Sequence, residues 1–445
     1  MPTSLLDHYE LVKGLLSTYG PDHLAAMRDR SFGEFQKFGV PTQKDEEFKY
    51  LSLRALEDGG FQPAYGATVD RLDVEKTTLG LIEAATVTFV NGQHAPELVT
   101  QHKLPKGVFV GSIQDAYANF PDILTQHLGN IATLKGRLGS TNDERFVHLN
   151  TAYLGEGAFI YVPKGVSVEV PIHVQYLTKA DHGPLVSHPR TLIVLDDHSD
   201  AKVIESYLGL QGVYFTNAVT EVYLGEDAIL EHTKYQDETA ESVFISNLSV
   251  HQSDSSTYTS NVANFGGHLV RNDLNVWLDG ERTETWLNAA SVGLDHQVVD
   301  NHTRLDHAKP NCNSFQVYKA ILGDHAVGVF NGKIFVYEDA QKTDAKQTNQ
   351  AILLSPTATI NTKPQLEIFA DDVKCTHGAT VGQLREDAMF YLQSRGIPKA
   401  ESQALLVYAF AAEVLEKITI PSVRTALEKV LYDKLGASEK LPHAE

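Results

Sequence analysis

The side chains best suited to metal chemistry in this chain are few, and two of them stand close together near its last third. In the run Phe369-Ala-Asp-Asp-Val-Lys-Cys-Thr-His-Gly-Ala-Thr380, Cys375 and His377 are two residues apart. On a β-strand alternate side chains share a face, so Val373, Cys375 and His377 point the same way. Upstream, Leu366, Ile368 and Ala370 have the opposite parity, which places a turn at Asp371-Asp372. Thiolate and neutral imidazole are both iron ligands, but two ligands do not close a cluster site. By residue type Cys375 reads as a small buried hydrophobe. An imidazole turned into a dry interior needs a hydrogen-bond partner. His377 is therefore expected at the end of a rung, where it meets another chain.

A second group holds His302, Asp306, His307 and Cys312, with His296 and Asp300 just upstream. These gaps fit neither the i, i+4 spacing of a helical metal site nor Cys-x-x-Cys. Scattered polar turn residues are the expected account, and Cys312 reads as structural. The sequence has no G-x-x-x-x-G-K-[ST] for ATP, no G-x-G-x-x-G after a strand and no G-x-S-x-G elbow. Two cysteines cannot supply the four thiolates that iron–sulfur clusters commonly use. These residues by themselves make no catalytic constellation.

Positioning such groups falls to a long chain. At 445 residues it exceeds the roughly 250–300 at which one globular core stops growing, so it splits into domains or extends as a repeat. Lys and Arg number 37 against 57 Asp and Glu, a formal net charge of -20. A surface this acidic repels phosphate backbones, which argues against nucleic acid as a partner. Met1–Leu16 carries Asp7, His8 and Glu10 and does not read as a signal peptide. No apolar run approaches the roughly 18 residues that span a bilayer. With only Cys312 and Cys375, a cytoplasmic protein with reduced thiols is expected.

Three periods divide the chain. Residues 1–85 read as a helical N-terminal region, with Leu5, Tyr9, Val12 and Leu16 on one face and Pro21 opening a second helix. Residues 86–145 form a mixed linking segment, with a strand at Thr86–Val90 and a turn at Asn91-Gly92. From 146 to 383 the period is two, with no convincing helical stretch. The turns Gly155-Glu-Gly-Ala, Gly225-Glu-Asp-Ala and Gly323-Asp-His-Ala look alike, and they recur unevenly, as a degenerate repeat does. A β-sandwich array or a β-solenoid satisfies this pattern, and a solenoid explains both the length and the recurring turn. Residues 384–445 return to a helical period, with Gly396 and Pro398 separating two helices and Pro421 opening a third. The stripe Ala404, Leu405, Tyr408, Ala411, Ala412, Leu415 and Ile418 suits core packing, partner docking, or both, at the end of a solenoid.

Pro41-Thr-Gln-Lys44 followed by Glu47-Phe-Lys-Tyr50 is similar to the N-terminal signature of the SufB/SufD family of iron–sulfur cluster assembly proteins, and the chain resembles that family along nearly its whole length. Val162-Pro-Lys-Gly165, His188-Pro-Arg190, Thr216-Asn217, Glu231-His232 and Gln236 continue the likeness. The most specific stretch includes Val329-Phe-Asn-Gly-Lys333, Gln347-Thr-Asn349, Pro364-Gln-Leu-Glu-Ile368, Asp372-Val-Lys-Cys-Thr-His-Gly-Ala379 and Phe390-Tyr-Leu-Gln-Ser-Arg-Gly-Ile397. The modest length, the scarcity of Cys and Ala409-Phe-Ala-Ala-Glu-Val-Leu-Glu-Lys417 favour SufD over SufB within the family.

The resemblance implies a mainly β fold, a right-handed parallel β-helix core between helical N- and C-terminal regions. It implies a non-catalytic scaffold that pairs with a SufB-like paralogue along the β-helix and docks a SufC-like ATPase through the C-terminal helices. Cys375 and His377 would then lie near the SufB interface, as candidate ligands to transient iron or a nascent cluster. No cofactor would be stably bound by the chain alone, although the family's complex is associated with a reduced flavin. Expressed alone, such a chain is expected to form a homodimer. The alternatives are a SufB-type cluster-building paralogue and a β-helix enzyme acting on polysaccharide. The latter class is usually exported, which the lack of a signal peptide argues against.

Overall fold

The computed structural model describes residues 5, 8–64, 67–70, 73–74, 77–81, 83–98, 100, 102–133, 137 and 143–435. The tail from Gly436 lies outside them. The molecule is mainly β: from Ala158 to Gly382 the chain winds as a parallel β-solenoid of eight turns. Each turn gives one strand to each of two sheets. The first sheet holds Ala158–Val162, Arg190–Leu195, Tyr214–Leu224, Val243–Gln252, Leu269–Leu278, Val298–His307, Val327–Val336 and Thr359–Ile368. The second holds Ile172–Lys179, Asp200–Gln211, Ile229–Asp237, Thr257–Asn264, Glu284–Gly293, Asn313–Leu322, Asp344–Leu353 and Lys374–Gly382. Ala85–Val90 extends the second sheet at its first turn, pairing in parallel with Ile172–Leu177.

Ladder partners on neighbouring turns are separated by between 26 residues (Val243 to Leu269) and 33 (Ala158 to Thr191). What keeps the turns in register is a stack of corners. His198, Asp227, Ser255, Arg282 and Asn311 have φ between 54° and 62°, a left-handed bend that short polar residues tolerate best. The backbone N–H of each donates to a carbonyl at the corner of the next turn, from His198 to Glu226 at 2.7 Å through Asn311 to Gln341 at 2.9 Å. The look-alike turns are not structural equivalents. Gly225-Glu-Asp-Ala leads from the first sheet to the second, whereas Gly323-Asp-His-Ala leads back. Their shared sequence marks a corner geometry and not the repeat, which is why their spacing looked irregular.

Inside the solenoid, alternate residues of both sheets meet in a dry core that includes Ile160, Val174, Val203, Val222, Phe244, Tyr258, Val276, Leu287 and Ile334. Both outer faces are also covered in part. Nine helices are described: α1 (Tyr9–Leu16), α2 (Asp22–Phe38), α3 (Arg54–Asp58), α4 (Ile113–Tyr117), α5 (Pro121–His127), α6 (Arg145–Ala152), α7 (Glu386–Ser394), α8 (Lys399–Leu415) and α9 (Pro421–Lys434). Phe35, Phe48, Leu51, Phe146 and Leu149 pack on Phe215, Val243, Ile245 and Leu269 of the first sheet. Val407, Ala411, Leu415, Val423 and Leu427 pack on Ile204, Tyr235, Phe265 and Ile321 of the second. Helices α8 and α9 thus lie on the flank of the solenoid and not at its end. Helix α6 falls within the stretch expected to be free of helix. Its Phe146, Val147, Leu149, Asn150, Thr151 and Ala152 are all buried, so a one-sided 3.6 period is not visible in its sequence.

Candidate functional site

Strand Lys374–Gly382 is the last of the second sheet and pairs on one side only, with Asp344–Leu353. Thr359–Ile368 ends the first sheet in the same way. The eighth turn is therefore an uncapped end among the described residues. Cys375 and His377 both have the interior-facing parity, in register with buried Ala345 and Gln347 of the turn before. Cys375 is half-buried against the core, and His377 is exposed. The expectation that His377 sits at the end of a rung is corrected here: it stands in mid-strand. It is open because no further turn covers the last rung, a fact about chain topology that strand periodicity does not carry.

The two edges differ chemically. Lys374 N–H donates back to Thr343 O at 2.8 Å, so the alternate amides of Cys375, His377, Ala379 and Val381 point outward, as parallel-ladder geometry requires. On the first sheet Thr359 N–H donates back to Ala326 O at 3.0 Å, and the outward set includes position 364. That residue is Pro, which has no N–H to offer. The second sheet thus presents the unbroken donor edge, and it is the edge that carries Cys375 and His377. Burial pushes the Cys375 thiol up from its ordinary value, and the Asp344 carboxylate pushes it further. Among the described residues no group of three or more His, Cys, Asp or Glu side chains is placed to hold a metal ion.

The second sequence cluster is not made of turn residues. Asp300, His302, Asp306 and His307 all lie on Val298–His307 and are buried. Their spacing of two puts Asp300, His302 and Asp306 on the outer face of the first sheet and turns His307 inward. His307 Nε2 lies 2.8 Å from Ser314 Oγ. Cys312 is fully buried, its Sγ 3.2 Å from Gly280 O.

What sequence reading missed is the group that meets His302. The single turn Glu46–Phe48 crosses the outer face of the first sheet near its open end. Glu47 takes Lys333 Nζ at 2.5 Å, Asn331 Nδ2 at 3.1 Å and His302 Nδ1 at 3.2 Å. His302 Nε2 meets Asp300 at 2.9 Å, Arg271 bridges to Asp300 at 2.9 Å, and Glu46 reaches Lys363 at 2.8 Å. These partners come from the fifth to the eighth turns, so one N-terminal strap ties four rungs together. Burial would raise Glu47, but hydrogen bonds and charge from His302 and Lys333 outweigh it and hold the carboxyl at about 2. Burial and Arg271 oppose the His302 cation; Asp300 and Glu47 prevail and raise it. The signal available in the sequence was the alternation of Asp300, His302, Arg304 and Asp306, a charged strand face that needs counter-charges from elsewhere.

Glu205 and His232 form a further buried pair, 2.9 Å apart inside the solenoid, with Thr191 and Thr220 hydroxyls donating to the same carboxylate. Two of the described clefts can be compared with the flavin that the resemblance implies. One of about 560 Å³ near Lys179 and His182 has no Phe, Tyr or Trp in its lining to stack on a tricyclic ring. Another of about 400 Å³ is lined by the charged strap together with Tyr50 and Phe330.

Comparison with known proteins places the sequence that folds this way in a family. The profile of the SufBD core domain of the SUF iron–sulfur cluster assembly system matches residues 176–410, and that of the SufBD N-terminal region matches residues 1–174. The chain belongs to the SufBD family. It is 33% identical over 399 residues to an iron–sulfur cluster assembly SufBD family protein of Synechocystis, covering 88% of this chain and 86% of that one. It is 32% identical over 384 residues to the iron–sulfur cluster assembly protein SufD of Escherichia coli, covering 85% and 86%. SufD of Bacillus subtilis is 28% identical over 333 residues, covering 73% and 75%. The chain is thus a SufD-like iron–sulfur cluster assembly protein by homology. No helix among the described residues is long and apolar enough to cross a membrane.

Proposed function

We propose that this chain is a non-catalytic scaffold of a cytoplasmic iron–sulfur cluster assembly complex, pairing edge to edge with a SufB-like paralogue at the open end of its solenoid. The carrying observation is the uncapped second-sheet edge, whose outward amides include those of Cys375 and His377. A partner strand added there satisfies these donors and places its own side chains beside the pair. His377, with Cys375, then supplies ligands to iron or a nascent cluster in transit, and the partner completes the set. Cys375 binds as the thiolate, so metal must displace a proton held more tightly than usual. Without the paralogue, the same edge pairs with a second copy of the chain.

Helix α7 supports docking of a SufC-type ATPase. It has no buried residue, and it exposes Phe390 and Tyr391 at 74% and 58%. The test is anaerobic size-exclusion of the chain co-expressed with SufB- and SufC-type proteins, with iron and sulfide assays, wild type beside His377→Ala. A complex in both, with iron lost only in the variant, supports the reading. Failure of the wild-type complex to form refutes the scaffold role, and unchanged iron in the variant removes His377 from the ligand set.

A further inference from the structure

The register that sets His377 on the open rung also runs a line of side chains back into the solenoid. Leu287, Gln316, Gln347 and His377 occupy one ladder position on four successive turns of the second sheet. The two glutamines are joined. Gln316 Nε2 donates to Thr303 Oγ1 at 2.8 Å, and Gln347 Nε2 donates to Gln316 Oε1 at 2.9 Å. This chain of amides points each NH₂ inward, so a carbonyl oxygen is left at its outer end. That atom, Gln347 Oε1, is buried and has no hydrogen-bond partner, in a residue only 1% exposed.

A buried acceptor left unpaired is destabilising and calls for an explanation. The site is also built to hold this amide. A Cβ at Gly332, on the facing sheet, would lie 2.3 Å from Gln347 Nε2 and 2.8 Å from Phe330 Cζ. Glycine at 332 is thus the residue that lets the amide lie across the interior. The next side chain at this ladder position is His377, one strand spacing away at roughly 4.8 Å between backbones. Histidines that ligate metals commonly donate their second ring N–H to a carbonyl or carboxylate, which fixes tautomer and ring direction.

We propose that Gln347 is a positioning residue for His377: its Oε1 accepts one imidazole N–H and so leaves the other ring nitrogen deprotonated and turned to the open edge for ferrous iron. The proposal rests on the reading of His377 as an iron ligand and adds to it the group that orients that ligand. The hydrogen bonds from Gln347 to Gln316 and on to Thr303 leave only the acceptor end of Gln347 free. Gln347 never touches the metal.

The experiment measures ferrous iron binding anaerobically to the co-expressed complex carrying wild type, His377→Ala, Gln347→Leu or Gln347→Glu. Gln347→Leu is expected to lower iron affinity about tenfold or more, while the acceptor-retaining Gln347→Glu restores it. The same variants, labelled with ¹⁵N-histidine as the full chain alone, report the His377 tautomer without any metal. One tautomer is expected in wild type and a mixture in Gln347→Leu, with His377→Ala assigning the signal. Wild-type iron affinity in Gln347→Leu, with binding lost in His377→Ala, overturns the positioning role and leaves the ligand reading standing. Wild-type affinity in His377→Ala overturns both. If Gln347→Leu does not fold, an unchanged His377 tautomer in the shorter Gln347→Asn overturns the proposal.

Discussion

Replacing Glu47 by Gln is expected to release the N-terminal strap while leaving the solenoid wound. The carboxylate faces Lys333 and His302 directly, with Asn331 as a third donor. Holding Glu47 at about 2 instead of its ordinary 4.5 corresponds to roughly 3 kcal/mol in favour of the ionised, paired form. Glutamine keeps the shape and loses that term together with the ion pair to Lys333. Amide exchange of Phe48 and Leu51, whose N–H groups bond to Asp45 O and Phe48 O, is then expected to accelerate roughly 100-fold. Hydrogen-exchange mass spectrometry of the segment 45–56 reads this directly. The wild-type pH dependence has a definite sign. Glu47 lies below 4.5, so its contribution is complete above 4.5 and drains away as pH falls towards 2. His302 lies above 6.5, so its contribution is complete below 6.5 and is lost as pH rises through its folded value. The strap is held most firmly between 4.5 and 6.5. Unchanged exchange in Glu47→Gln would refute this account and assign the strap's hold to the burial of Phe48 and Leu51 alone.

Two further outcomes follow from the edge and the core. Ala379→Pro removes an outward N–H from the second-sheet edge without touching the ladder behind it. It is expected to weaken self-association and pairing with the paralogue, measured by light scattering, with little change in thermal unfolding. Arg190→Ala breaks a fully buried ion pair, Arg190 to Glu221 at 2.6 Å, and leaves a carboxylate that otherwise gathers the Gly129, Ile131 and Ala132 amides. A destabilisation of about 3–5 kcal/mol is expected in chemical denaturation, and a shift below 1 kcal/mol would show that the backbone donors suffice.

The sequence by itself determined the local grammar of this protein. A period of two, with β-branched runs and Gly/Asp corners, specified strands, and helical stripes such as Tyr9, Val12 and Leu16 specified the flanking helices. Parity alone put Cys375 and His377 on one face. Only the tertiary structure decided which rung came last, and therefore that His377 is open while Gln347, at the same ladder position, is sealed. Coverage depends on the presence of a next turn, which no residue of the strand encodes. The strap was equally hidden, because Glu47 lies 255 residues before His302 in the chain and local spacing carries no trace of their contact. The charged face of Val298–His307 showed that counter-charges were required; folding alone supplied them from the N-terminal segment and the neighbouring rungs.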